Sequence, residues 1–445
     1  MLRTRAAVAA GKAARVVARL RGGGSALPGL VVERIDPLFL RSALAGLPRG
    51  VVVVTGTNGK TTTTRMLVAI LRRHGLVVFT NPTGSNFTRG VISSLLGEVP
   101  LSGRVGADMA VLELDEAHAL RFAAAVPPTH ALLLNVARDQ LDRFAEIDQT
   151  AQLLARLAAQ TTRGVVLNRD DTFVSRIAPA LSVPVRYFGV DPSIADRLPE
   201  LQEADVRFAD DFAVPAATDT DGLLRPIDEH TLEVRFELSE RGRAMTRPGS
   251  DNEVVGPVRL RQRGLAAMIN ATAATTMARL LLGGEFSAAT AAEALSLVTP
   301  PFGRGETIDV DGQPLELVLV KNPAGFTVAL GTYGTTPAAS MIAINDDYAD
   351  GRDVSWLYDV SFGSLRERGV ALTTGVRAYD MALRLRYDDV AVAEVEPDLR
   401  TALRRFLAAY PGEPKRVFCT YTAMMALRRD LAARFGLAAF GEEAT

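Results

Sequence analysis

Cysteine is almost missing from this chain: Cys419 is the one thiol in 445 residues. That excludes an intramolecular disulfide framework and any multi-cysteine metal centre within the chain, and it fits a reducing compartment. Histidine is nearly as scarce. His74, His118, His130 and His230 are scattered without metal-ligand spacing and read as structural residues. Net charge is missing too, with Lys+Arg at 50 against Asp+Glu at 51, so no global field draws the molecule to nucleic acid or to an anionic membrane. No G-x-S-x-G elbow is present, which leaves serine-hydrolase chemistry unsupported. No apolar run approaches the roughly 20 residues of a membrane span. No uninterrupted apolar stretch follows the basic residues of the N-terminus, so a secretory signal is not expected. What is present is a hydrophobic content of 48% with 23% charged residues, over a length that suits two or three globular domains.

The stretch that organises the rest is Val51-Val52-Val53-Val54-Thr55-Gly56-Thr57-Asn58-Gly59-Lys60-Thr61-Thr62. Four consecutive valines predict a parallel strand buried on both faces. The apolar residues Met66, Leu67, Ile70 and Leu71 recur at helical spacing beyond it. A strand, a glycine turn and a helix N-terminus form an anion site, because free N–H groups and the positive end of the helix dipole share one focus. Lys60 is expected to reach the β/γ-phosphates and Thr61 to ligate Mg²⁺. The general pattern G-x-x-x-x-G-K-[ST] needs glycine where Val54 stands, and the nearest glycine is Gly56. The form TGTNGKTT resembles instead the ATP loop of the Mur ligase superfamily. Its members turn a carboxylate into an acyl phosphate with ATP and let an amine attack it.

In chain order, Met1–Arg21 carries Arg3, Arg5, Lys12, Arg15, Arg19 and Arg21 among Ala and Val. It reads as a solvated helix packed on its own domain, with a membrane-surface helix as the alternative. Residues 22–50 are expected to be turn-rich. Strands are expected at Leu76–Thr80, Met109–Leu114, Ala131–Leu134 and Gly164–Leu167, with a helix over Thr150–Ala159. Each strand ends in a polar cluster: Asn81–Asn86, Glu113-Leu114-Asp115-Glu116, Asn135–Arg143 and Asn168–Asp171. That is the habit of a doubly wound sheet with ligands at its carboxyl edge, and Glu113 beside the phosphate loop suits Mg²⁺. Helical periodicity fades over 190–257, where Leu232, Val234, Phe236 and Leu238 alternate in a small antiparallel insert. A long Ala-rich helix, Leu265–Leu282, carries Asn270, and Val298–Glu306 reads as an interdomain linker. A second α/β unit follows. Its strands are expected at Leu315–Val320, Ala338–Ile344, Val390–Ala393 and around Cys419, and its helices around Leu399–Ala409 and Thr422–Phe435. Cys419 is expected to be a buried, inert thiol. The acidic loop 346–353, followed by Trp356, is either a solvated turn or a partner or substrate surface, and its position after a buried strand favours the latter.

These segments together resemble the MurT-type subgroup of the Mur ligases, the ATP-dependent subunits of lipid II isoglutaminyl synthases. The resemblance covers nearly the whole chain. It rests on Gly24–Gly29, Thr55–Thr62, Asn86, Glu113–Ala117, Arg138–Arg143, Lys321-Asn322-Pro323-Ala324-Gly325, Asn345–Trp356 and Tyr421-Thr422-Ala423. Amino-acid-adding Mur ligases usually carry a metal-binding His where Gln140 stands, and an Asp-x-x-His-Asn-Pro segment where Lys321-Asn322-Pro323 stands. Both departures point to the amidating subgroup. The implied fold is α/β: a lead-in segment (1–50), a Mur-type central ATP-binding domain with a parallel sheet (51–299, with the β insert at 190–257), and a C-terminal α/β domain (300–445).

The resemblance also implies the chemistry. The α-carboxylate of D-glutamate in the lipid II stem peptide is phosphorylated by ATP and Mg²⁺. Ammonia, released from glutamine by a GatD-type amidotransferase, then attacks to give D-isoglutamine. Expected nucleotide contacts are Gly56, Thr57, Asn58, Gly59, Lys60, Thr61, Thr62, Asn270, Asn168, Asp170 and Arg304, with Thr61 and Glu113 on Mg²⁺. Lys60 is also expected to act catalytically. The subgroup is thought to lend an acid to the partner's Cys–His pair, for which Asp353, or failing it Asp350 or Asp347, is the candidate. Many relatives insert a four-cysteine zinc ribbon in the central domain; residues 190–257 hold no cysteine, so zinc is not expected. The chain would work in the cytoplasm or peripherally at the inner face of the plasma membrane, paired with its amidotransferase. Two other readings compete: a stand-alone ligase of the folylpolyglutamate or peptidoglycan type, against which Gln140 and Lys321 count, and a non-catalytic nucleotide-binding scaffold, against which the Lys60-Thr61 pair counts.

Overall fold

The computed structural model describes residues 2–20, 26–81, 87–137, 147–197, 215, 221–237, 252–300, 304–333 and 337–437. Leu238, residues 82–86, the Arg138–Arg143 segment with Gln140, and residues 301–303 lie outside them.

Three helices come first: α1 (Leu2–Leu20), α2 (Ala26–Ile35) and α3 (Phe39–Leu44). The turn-rich reading of 22–50 gives way here, because Ala26–Ile35 is helical in spite of Pro28 and Gly29. Pro28 stands in the first turn, where its missing N–H costs nothing, and Gly29 lets the backbone at Arg89 approach: a Cβ there would lie 2.1 Å from the Arg89 carbonyl oxygen.

A nine-stranded sheet follows. Its strands are β1 (Val51–Thr55), β2 (Val78–Thr80), β3 (Met109–Glu113), β4 (His130–Leu133), β5 (Gly164–Asn168), β6 (Val185–Val190), β7 (Gly222–Pro226), β8 (Thr231–Glu237) and β9 (Asn252–Arg259). They are ordered β2-β3-β1-β4-β5-β6-β7-β8-β9. Pairing is parallel from β2 through β7 and antiparallel across β8 and β9. The strands of the expected insert, β7 to β9, continue the edge of the central sheet. Helices α4 (Lys60–Arg73), α5 (Thr88–Glu98), α6 (Glu116–Ala125), α7 (Ile147–Ala159), the short α8 (Thr172–Ser175), α9 (Leu265–Leu282) and α10 (Ala288–Leu297) cover its two faces.

The tetravaline strand β1 feeds both cores. Val51 and Val53 join one, with α1, α2, α3, α5, α6 and α7. Val52 and Val54 join the other, with α4, α9 and α10. Strand periodicity of two makes this division inevitable once both faces are covered. Helix α9 has the length and apolar composition of a membrane span, contrary to the sequence expectation, yet most of it is buried against the sheet. Its buried Thr272, Thr275 and Thr276 hydroxyls donate to the carbonyls of Met268, Ala271 and Thr272, which satisfies them within the helix.

The second sheet has six strands: β10 (Arg304–Val310), β11 (Gln313–Leu319), β12 (Ala339–Ala343), β13 (Val370–Thr374), β14 (Val392–Val395) and β15 (Lys415–Cys419), ordered β10-β11-β15-β12-β13-β14. The expected linker is shorter than read, since β10 begins at Arg304. Strand β13 adds to the expected set, and β14 starts two residues after the expected Val390. Only the β10–β11 hairpin is antiparallel. Helices α11 (Pro323–Tyr333), α12 (Ala378–Tyr387), α13 (Leu399–Ala409) and α14 (Tyr421–Phe435) flank this sheet, which has a core on each face. Cys419 is fully buried, and burial raises its thiol pKa.

Candidate active site

The loop between β1 and α4 takes its shape from two glycines. Gly56 (φ +132°) and Gly59 (φ +84°) lie in the region other residues avoid. A Cβ on Gly59 would stand 2.3 Å from Asn270 Oδ1, and one on Gly56 would stand 2.9 Å from the Asn135 amide nitrogen. Gly59 is the N-cap of α4 and offers no side-chain cap, and no acid occupies the helix's first turn. The amides at that end point out for an anion. Asn135 clasps the loop from the end of β4: Asn58 N–H donates to its Oδ1 (2.8 Å), its Nδ2 donates to the Asn58 carbonyl (3.0 Å), and Thr57 N–H donates to its carbonyl (3.0 Å).

Lys60 curls back over the loop. Its Nζ donates to the Gly56 carbonyl and, at 3.3 Å, to that of Thr57, and it pairs with Glu116 at 3.6 Å. Thr61 Oγ1 donates to Glu113 Oε1 at 2.9 Å, with both groups buried. Asn81 fixes the backbone of Glu113 in both directions, accepting from its N–H (2.9 Å) and donating to its carbonyl (2.8 Å). A hydroxyl and a carboxylate are hard oxygen donors. Mg²⁺ takes one or two such groups beside waters and phosphate oxygens rather than an all-protein cage. The residues present thus fit that ion, and among the described residues no group of three His, Cys, Asp or Glu offers a metal cage of its own.

A cavity of about 180 Å³ lies between the loop and the second sheet, lined on one side by Gly59, Lys60 and Asn270 and on the other by Lys321, Gly325 and Tyr333. Lys321 Nζ donates to the Thr57 carbonyl at 3.2 Å, the same oxygen that Lys60 reaches, and Asn322 Nδ2 donates to Asn58 Oδ1 at 3.1 Å. Asn270 lines the cavity and accepts from Thr63 Oγ1 at 3.2 Å. On the far wall the Arg263 guanidinium lies 4.6 Å above the Tyr333 ring and approaches Glu316 at 3.7 Å. Burial, reinforced by Glu316, pushes the Tyr333 pKa up to about 12, so this phenol stays protonated.

The other expected contacts are placed differently. Asn168 is buried with both ends of its amide committed, to the Leu134 carbonyl (2.8 Å) and the Asp170 N–H (3.0 Å). Asp170 accepts from Val190 N–H (2.7 Å), and burial raises its pKa. Neither is among the described residues lining the cavity. The backbone of Arg304 opens β10.

The acidic loop follows β12. Asp346 pairs with Arg377 at 2.7 Å. Asp350 is buried and accepts from Thr422 N–H (2.7 Å) and from the Thr422 hydroxyl, tying the loop to the start of α14; burial raises its pKa against those bonds. Asp347 is exposed. Asp353 is half-buried and accepts from Ser355 N–H (2.8 Å), a local turn that leaves its second oxygen for other groups.

Sequence reasoning missed Asn81, Asn135 and Glu116 as builders of the site, and it read Lys321 only as a family departure. Asn81 and Asn135 each stand immediately or nearly so after a parallel strand, and that position was the available signal.

Two family descriptions match: Mur ligase middle domain over residues 54–212 and MurT ligase C-terminal over residues 319–424. The chain is 30% identical to the lipid II isoglutaminyl synthase (glutamine-hydrolyzing) subunit MurT of Streptococcus pneumoniae, over 97% of this chain and 98% of that one. Among solved structures it resembles MurF from Acinetobacter baumannii (TM-score 0.66, 19% identity, 91% of this chain and 81% of that one). It also resembles MurF from Thermotoga maritima in complex with ADP (TM-score 0.64, 16% identity, 90% and 84%). These two share the fold.

Proposed function

Starting from the fact that the chain belongs to the MurT family of Mur-type ligase subunits, we propose how its own residues carry the ATP-dependent half of lipid II amidation. The enzyme is a C–N bond-forming ligase subunit. In the proposed reaction the α-carboxylate of the stem-peptide D-glutamate attacks the γ-phosphorus of ATP and ADP departs. Ammonia then attacks the acyl carbon, inorganic phosphate leaves, and a D-isoglutamine amide remains. A carboxylate lacks a leaving group until phosphorylated, and phosphoryl transfer depends chiefly on positioning and charge neutralisation.

The observation that carries the reading is the convergence of Lys60 and Lys321 on one carbonyl oxygen. Two ammonium groups so close repel each other, and they face the uncapped end of α4. A triphosphate there would turn repulsion into shared attraction. Asn270 is assigned to the nucleotide, and Thr61 and Glu113 would hold a Mg²⁺ that screens the phosphate charge. Asn168 and Asp170 are assigned a supporting place behind the loop. Residues 300–445 are read as the lobe that closes on the central domain.

The partner is read as a GatD-type glutaminase that supplies ammonia. Tyr348 in the acidic loop and Tyr358 just after it are exposed, and Tyr358 adjoins the exposed Tyr387 (ring centroids 6.1 Å); tyrosine is a residue type enriched in protein interfaces. Asp353, with one oxygen unspent in the loop, is the acid assigned to orient the partner's histidine, since Asp350 is engaged by Thr422. The test is co-expression with such a partner and an assay of lipid II amidation with glutamine and ATP. Lys60→Ala should lose turnover with glutamine and with free ammonia alike. Retained turnover in that variant, or none in the parent complex, would end this reading.

A further inference from the structure

We propose that the N-terminal helical layer is a docking surface for an anionic lipid bilayer, an inference that rests on the reading above of a lipid-borne substrate. Helix α1 has two apolar faces. One faces inward: Ala7, Val8 and Ala18 are buried, and a Cβ on Gly11 would lie 2.5 Å from Val32 Cγ2. The other runs outward through Leu2, Ala6, Ala9, Ala13 and Val16, at helical spacing and all exposed. Core packing explains the first face and leaves the second without a function inside the molecule.

Leucines from two further segments gather at the start of this outward face. Thr4 Oγ1 donates to Asp36 at 2.9 Å, and Asp36 in turn accepts from Leu38 N–H. Thr4 also packs on the turn at Gly103, where a Cβ would stand 2.8 Å from its methyl group. The turns bearing Leu38 and Leu101 therefore abut the first turn of α1. Leu2 is 85% exposed, Leu38 63% and Leu101 53%. Large apolar side chains presented by three separate segments of one surface mark a contact site.

The charge around them has one sign. Helix α1 contains no acid and carries Arg3, Arg5 and Lys12 in its first three turns; Arg41 and Arg104 are exposed three residues beyond Leu38 and Leu101. The nearby acids are already engaged. Asp36 is buried under Thr4 and Leu38, Glu33 pairs with Arg89 at 2.7 Å, and Glu98 lies in the field of Arg15 and Arg72. A basic surface tipped with leucine meets both requirements of reversible bilayer attachment, apolar insertion and attraction to anionic headgroups. The overall charge near zero hides this local excess.

The measurement is co-sedimentation of the full chain, with its amidotransferase partner, on two kinds of vesicle. One is pure phosphatidylcholine; the other contains about one third phosphatidylglycerol, to give the surface charge of an anionic leaflet. Binding is expected to the anionic vesicles only and should fall as salt is raised. Each cation lost should weaken partitioning roughly fivefold, so Arg5→Gln/Lys12→Gln/Arg104→Gln should lower it on the order of a hundredfold. Leu2→Ser/Leu38→Ser should weaken it at every salt concentration. Both variants should melt as the parent does and should amidate a water-soluble analogue of the substrate at the parent rate. Equal binding to both vesicles, no binding, or a triple variant that partitions like the parent would overturn the proposal. If the parent complex failed to amidate the soluble analogue, the functional reading would fall instead.

Discussion

Asp171 stands behind the loop between β1 and α4, and its carboxylate is fully spent on backbone. Oδ1 accepts from Phe173 and Val174 N–H (3.0 and 2.9 Å), capping α8, and Oδ2 accepts from Val136 N–H (2.9 Å), next to the Ala137 that contacts Thr57. Burial raises its pKa from 3.8 to about 6, with Asp170 adding to the rise. A raised carboxylate contributes stability that is fully present below about pH 4 and is lost as pH rises through about 6. Two pK units correspond to roughly 3 kcal/mol. Denaturant midpoints measured from pH 7 down to pH 4 should therefore rise for the wild type relative to Asp171→Asn, whose own profile lacks this component; parallel curves would refute it. The same region shows which residues the sequence made legible. Gly59, Lys60 and Thr61 announce themselves by adjacency to a buried strand. Asn135 reaches Asn58 across 77 positions, and Asn81 reaches Glu113 across 32. Only the parallel order of β2, β3, β1 and β4 brings them together.

At the scale of elements, β1, β3, β4 and β5 were readable because each is a short apolar run closed by polar residues, the pattern of a strand covered on both faces. The antiparallel strands β8 and β9 were readable as alternation, but not their place. Alternation says that one face is buried and leaves open against what. Here it is α9 and α10: Phe236 lies under Arg279 at 4.6 Å and edge-on to Phe286 at 6.3 Å, within the core that also holds Val52 and Val54. Because that core is shared with the strand leading into the phosphate loop, damage to β8 should not stay local. Phe236→Ala is expected to cost about 3–5 kcal/mol. The loss should register as a downward shift of the whole transition that bound ATP protects. A separate small transition at lower denaturant, with ATP protection unchanged, would show that β7–β9 unfold as an independent module. Strand β13, with Thr373 and Thr374 at its carboxyl end, escaped notice because its apolar run is only Val370-Ala371-Leu372.

Across the whole molecule, the site exists only where the two sheets meet. Lys321 and Thr57 are 264 residues apart, and Arg263 Nη2 donates to the Thr332 carbonyl at 3.1 Å on the same seam. The two lobes thus carry separable duties. On the proposed reading the seam would handle phosphate and the acidic loop would face the source of ammonia. Substitutions on either side should then divide by nitrogen donor. Lys321→Met removes one of the two cations that converge on the Thr57 carbonyl, and if both serve the phosphates as proposed, losing a preorganised charge of that kind costs roughly a hundredfold or more in rate. The loss should be equal with glutamine and with added ammonium, and the KM for ATP should rise. Asp353→Ala should spare phosphorylation, so turnover with ammonium persists while glutamine-driven turnover falls. The ratio of the two rates, measured on the complex with its amidotransferase, is the discriminating quantity. It should stay constant in Lys321→Met and shift toward ammonium in Asp353→Ala. A constant ratio in both variants would remove Asp353 from the partner's chemistry and leave Asp347, exposed on the same loop, as the acid to test next.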